Sequence, residues 1–224
     1  MQPRRLMLEW MALVALAILG AFYSQTTDLT GRIDNQLLDY GARFARPAMD
    51  RDIVLVTIDD QSLAEIGVWP WRRDAHAQLI DRLDKAGARL IVLDILFPEP
   101  SFPQADTALA QALARSGKVV LPHSFIPRAN SQSGLDPLWP IASLRAVAAG
   151  VGHVDASPDS DGVLRGFDLR LVTDQARFDH IAINALGTMG GPLPGDDRER
   201  AINPFYQEGE FLRQPAARGL EGWT

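Results

Sequence analysis

The sequence predicts an α/β fold: an open, mostly parallel sheet with flanking helices and an antiparallel portion, preceded by one transmembrane helix. Three observations predict it. An unbroken apolar run stands near the N-terminus, strand and helix patterns alternate from residue 53 to residue 121, and short alternating segments with turn signals follow Pro122. A length of 224 residues with 46% hydrophobic content suits one well-filled domain plus an anchor.

The apolar run is LMLEWMALVALAILGAFY, residues 6–23, with Glu9 as its one charge. At 1.5 Å per residue it approaches the ~30 Å hydrocarbon core of a bilayer once flanking residues are added. Arg4 and Arg5 precede it and no cation follows until Arg32, which predicts a cytoplasmic N-terminus and an exported remainder. A cleaved signal peptide is the rival, with Ala15-Leu16-Ala17 as its small-x-small site; cutting there would split the apolar run. Both readings export the domain. A buried core helix fits less well, because apolar residues surround the helix instead of forming a stripe.

Leu29, Ile33, Leu37, Tyr40 and Phe44 then mark one helical face of a juxtamembrane helix, which packs on the domain or on a second copy as a homodimer. Pro47 stops it. The run IVLVTI, residues 53–58, has the continuous apolar character of a parallel strand covered on both faces. Helical signals follow over 61–66 and 73–85, a strand over 90–96, a helix over 106–115 closed by Gly117, and a short strand over 118–121 ended by Pro122. Residues 127–140 read as a loop. A helix over 141–149, a strand over 151–154, a turn at 158–162, an alternating strand over 163–172 and a helix over 178–189 complete the pattern. The divisions are an anchor over 1–27, a juxtamembrane helix over 28–47, the α/β domain over 48–190 and an irregular tail over 191–224.

Composition narrows the function. A net charge of -6, a pI near 5.2 and only two lysines, Lys85 and Lys118, give no basic field for nucleic acid. The absence of cysteine removes disulfides and thiolate chemistry, and suits either side of the membrane. No nucleophile elbow, Walker loop or dinucleotide fingerprint occurs, so neither a catalytic residue nor a cofactor is assigned.

Two groups of residues are candidates for ligand binding. Asp59, Asp60 and Asp94 fall at the carboxyl ends of two expected neighbouring parallel strands, the edge where open α/β sheets bind ligands. They either meet in one crevice that grips a cation, an amine or hydroxyls, or serve structure, with Asp60 capping the next helix and Asp94 bonding in a turn. Trp69, Trp71 and Arg72, in the segment WPWRR, place aromatic faces beside cations and suit sugars, rings or anions; alternatively the indoles fill the gap between helix and sheet. Ser157, Asp159, Asp161 and Asp168 imitate a calcium loop only loosely, and a tight turn explains them more simply. His76, His123, His153 and His180 are scattered singly, each read as structural, and no metal site is assigned.

The segments DIVLVTIDDQSLAEIGVWPWRRDAHAQLIDRLDKAGARLIVLDILFPEPS, ADTALAQALARSGKVVLP and GVGHVDASPDSDGVLRGF together resemble the second type of CHASE domain, CHASE2, over about residues 31–189. The resemblance implies a non-enzymatic sensory module outside the bacterial inner membrane, responding to a small-molecule or physical signal. It also implies further spans leading to a cytoplasmic adenylate or diguanylate cyclase, a histidine kinase or a Ser/Thr kinase. AINPF, residues 201–205, is weakly similar to the family's continuation and QPAARGLEGWT is not, so a truncated or frameshifted ending is expected. The alternatives are a periplasmic hydrolase using the strand-end aspartates and a dimerisation module without a small-molecule ligand.

Overall fold

The computed structural model describes residues 3–27, 37, 40–41, 52–129, 134–156, 158, 162–164, 166–174, 176–195, 199–201 and 212–216. The N-terminal helix and the α/β domain fall in two separate compact units and are taken in turn.

Helix α1, Pro3–Thr27, contains the apolar run. Its described apolar side chains lie open, from 53% exposed at Val14 to 70% at Leu19, with Trp10, Ile18 and Phe22 between. Among the described residues no helix is long and apolar enough to cross a membrane. The run expected as a transmembrane helix over 6–23 forms helix α1, and that expectation is corrected only so far: no helix among the described residues meets the length and apolarity of a span. Most of the juxtamembrane stripe lies outside the described residues.

The domain begins with strand β1, Val54–Thr57, and helix α2, Asp60–Ile66. Helix α3, Arg73–Lys85, has the expected bounds, and helix α4, Pro103–Ser116, starts one turn early because Pro103 at its first position loses no helical hydrogen bond. Gly117 ends α4 at φ 65°, a conformation open to glycine at little cost. Ile80 on α3 and Leu109 and Leu113 on α4 are fully buried with Val119, Leu121 and Leu144. Each such side chain contributes ~1.5–3 kcal/mol by leaving water, which makes this layer the core of the domain.

The main sheet is built on strand β3, Val119–Pro127, flanked by β2, Ile91–Val92, and β5, Gly150–His153, both parallel to it, and by β4, Leu135–Leu138, antiparallel. Two expectations about length are corrected. Strand β2 is shorter than 90–96 because Ile95 bonds back to the Leu93 carbonyl at 2.8 Å and turns the chain out of the sheet. Strand β3 runs through Pro122 because the even-numbered residues of β3 face β2, as the bonds from Leu93 to Val120 and from Ile91 to Lys118 show. The N–H that Pro122 lacks would point past the end of β2, where no ladder bond is lost.

The loop expected over 127–140 contains β4, and helix α5, Ala142–Arg145, is shorter than its expected 141–149. The single strand expected over 163–172 is two, β6, Gly166–Asp168, and β7, Arg170–Val172, broken at the buried Leu169. The start of the helix expected at 178 is strand β8, Arg177–Asp179, which pairs with β7; helix α6, Ile181–Thr188, follows. The turn at 158–162 lies largely outside the described residues.

Two described stretches of the tail form strands. Strand β9, Glu199–Ala201, pairs with β6, and strand β10, Leu212–Pro215, runs parallel to β1 from Val54↔Leu212 to Thr57↔Pro215. Ala216 is fully buried against Trp71 and Leu79. These contacts close the chain with residues far from its start, which local periodicity does not reveal. Among the described residues strand β1 pairs only with β10, so in place of the covered parallel strand expected at 53–58 stands a two-stranded pair, with Val54 and Leu55 exposed.

Candidate functional site

The two aspartate-bearing strand ends are not ladder neighbours: β1 pairs with β10, and β2 with β3. The expected adjacency of those strands is corrected accordingly: among the described residues no ladder joins the Asp59–Asp60 end to the Asp94 end. Asp59 is the N-cap of α2, its Oδ1 accepting from the Ser62 N–H at 2.9 Å and from the Ser62 hydroxyl at 2.7 Å. Those bonds hold its carboxyl below the usual carboxylate range. Asp60, expected to be the cap, sits in the first helical turn with an exposed side chain, and Asp94 is exposed beyond β2.

The WPWRR segment divides its residues. Trp71 is buried and its indole N–H donates to the Gly67 carbonyl at 2.7 Å, while Trp69 is 41% exposed beside a cis Trp69–Pro70 bond. The ring of His76 packs edge to face on Trp69 and Phe97 at 5.8 and 5.7 Å and lies tilted against Trp71 at 6.0 Å. Burial, then the Arg73 charge, lowers the His76 pKa to about 4. Arg73 is buried in an ion pair with Asp106 at 2.7 Å and also donates to the Glu99 carbonyl, whereas Arg72 is exposed, bonded to Asp74 and set over the Phe102 ring. The indole reading as filler thus describes Trp71, and Trp69 with Arg72 faces solvent.

A third group was not legible in the sequence. His123 on β3 pairs in register with His153 on β5, and His153 bridges in parallel to His180, so three histidines stand side by side across neighbouring backbones. Their rings lie 6.3 Å apart for His123 and His153, and 5.1 Å for His153 and His180. Phe125, Trp139, Phe167 and Phe178 pack around them at 4.3 to 6.2 Å. His123 and His153 are fully buried, and neither ring nitrogen of His153 meets a hydrogen-bond partner among the described residues. Burial lowers all three pKa values, to about 4 for His180. Asp155 sits beside them, its Oδ1 accepting from the Ser124 hydroxyl at 2.8 Å.

His180 caps α6: its Nδ1 accepts from the Ala182 N–H at 3.2 Å. The close seating of α6 on β5 depends on Gly152, where an added Cβ would stand 2.5 Å from the Ile181 Cα and 2.6 Å from its nitrogen. The separations of 27 to 57 residues between these histidines carry no local signal, and only the β3–β5 register brings them together. Among the described residues no group of three or more histidines, aspartates or glutamates is arranged to hold a metal ion. A surface depression of about 340 Å³ lies over Pro103, Gln104, Thr107, Ala108 and Gln111 on α4 and is lined by none of the candidate residues.

Fold and site together define an α/β domain whose main-sheet edge is filled by packed rings. A family model for the CHASE2 domain matches residues 12–214, and the chain belongs to that family. CHASE2 domains are extracellular sensory domains. The match takes in most of the tail, in agreement with β9 and β10. No curated protein and no solved structure matches the chain.

Proposed function

We propose that this chain is the extracytoplasmic input domain of a bacterial signal-transduction receptor, held at the inner membrane by α1 and serving a cytoplasmic cyclase or kinase output. The observation that carries the reading is the family match over residues 12–214. Helix α1 supports the membrane part: its exposed apolar side chains surround it, and such a helix gains free energy by leaving water for lipid on every face. Arg4 and Arg5, ahead of its apolar run, favour a cytoplasmic N-terminus. Of the candidate residues, Asp60, Asp94, Trp69 and Arg72 have side chains open to an external ligand, and the chemistry they suit is that of amines, hydroxyls, rings and anions. A ligand bound there acts as a signal only through unequal affinity for two conformations of the domain.

The chain has no cysteine, so a single introduced thiol reports its own side of the membrane without background. Gln104→Cys places one on the exposed surface of α4. In intact spheroplasts a membrane-impermeant maleimide is expected to label it before lysis; labelling that appears only after lysis overturns the extracytoplasmic placement.

A further inference from the structure

Helix α6 is seated on the sheet by groups that tolerate no added proton. The His180 Nδ1 that accepts from Ala182 must carry a lone pair, so its ring is neutral with the hydrogen on Nε2. Protonation would remove that acceptor and set a positive charge at the helix N-terminus, where the backbone dipole already presents its positive end. His153 meets the same ring edge to face at 5.1 Å and is fully buried, so a second cation there would lose its hydration, a cost that outweighs the Asp155 backbone beside it. Behind both, Gly152 allows β5 and α6 to approach so closely that even a methyl group would clash with the Ile181 backbone.

We propose that the neutral His180 cap, packed against buried His153, is a proton-sensitive latch that seats α6 on β5, making extracytoplasmic acidity a signal this domain reads. As a signal, this rests on the sensory reading above; as chemistry, it rests on the row of rings alone.

The charged and titratable groups around the latch come from every neighbouring element. His123 stands on β3, Asp155 follows β5, Asp168 lies on β6, and Asp179 on β8 is ion-paired with Arg170 of β7 at 2.9 Å. Helix α6 itself brings no ionisable side chain. The carboxylates Asp155, Asp168 and Asp179 pull the His153 pKa upward and Asp155 that of His180, but burial outweighs them in both. The sign follows. A histidine whose seated pKa lies below its free value binds fewer protons seated than released, so the seated state is fully favoured above about pH 6.5. That preference is lost progressively as pH falls from 6.5 toward the His180 value of about 4.

The test is hydrogen exchange of the full chain in lipid nanodiscs at pH 7.5 and 5.0, corrected for intrinsic rate. Protection of the α6 amides is expected to drop by at least about tenfold at the lower pH, and His180→Asn, which keeps a capping oxygen but does not titrate, is expected to hold most of it. His153→Phe keeps a buried ring without a proton site and is expected to weaken the drop, independently of the cap. Unchanged protection in the wild type, or drops in both variants as large as the wild type's, overturns the latch. So does an NMR assignment of the His180 hydrogen to Nδ1 at pH 7.5. A drop with the expected variant behaviour in a chain whose Gln104→Cys thiol labels only after lysis keeps the latch and removes the sensory reading. No drop with labelling before lysis does the reverse.

Discussion

Charged side chains here differ in worth according to burial. The Arg73–Asp106 pair has side chains only 9% and 13% exposed, so removing one partner strands a desolvated charge. Asp106→Ala is expected to cost about 3–5 kcal/mol in chemical denaturation. Arg115–Asp81 has the same 2.7 Å separation but is 56% and 37% exposed, and Asp81→Ala is expected to cost less than about 1 kcal/mol. Equal costs would contradict the burial argument. Single residues were also where the sequence was least explicit. Asp59 and Asp60 each fit a cap or a ligand, and only the bonds to Ser62 assign the cap to Asp59. His123 and His153 gave no local sign of proximity, because their pairing depends on a strand register set by the whole sheet.

Among the elements, those with a strong local signal were legible and those made by distant pairing were not. Helix α3 carries an apolar stripe ended by glycine and keeps its expected bounds. Strand β8 lies where a helix was expected to begin, because Arg177, Phe178 and Asp179 gain a ladder with β7 that a local stripe cannot foresee. The seating of α6 on β5 gives this scale its prediction. Gly152→Ala forces a methyl against the Ile181 backbone, which cannot yield as a flexible side chain would. It is expected to cost about 1–3 kcal/mol and to speed exchange of the α6 amides at neutral pH. Gly162, at φ 80° with open space around it, offers the contrast: alanine there strains the backbone but leaves α6 untouched.

The whole molecule was legible as a class before its closure was. Alternating strands and helices pointed to an α/β fold with a parallel sheet and flanking helices, and three long blocks of sequence pointed to the family. The joining of β10 to β1 was not legible, since it unites residues some 160 positions apart across a glycine- and proline-rich stretch. Membership of a sensory family makes response to a stimulus the central claim. It is tested most directly by hydrogen exchange over residues 54–216 of the full chain in nanodiscs, compared across amines, sugars, aromatic compounds, anions and acid. At least one stimulus is expected to change protection reversibly within the domain. Protection that stays constant across the whole panel, alongside substrate turnover that vanishes in Asp59→Asn and Asp94→Asn, would contradict a sensor and mark an enzyme instead.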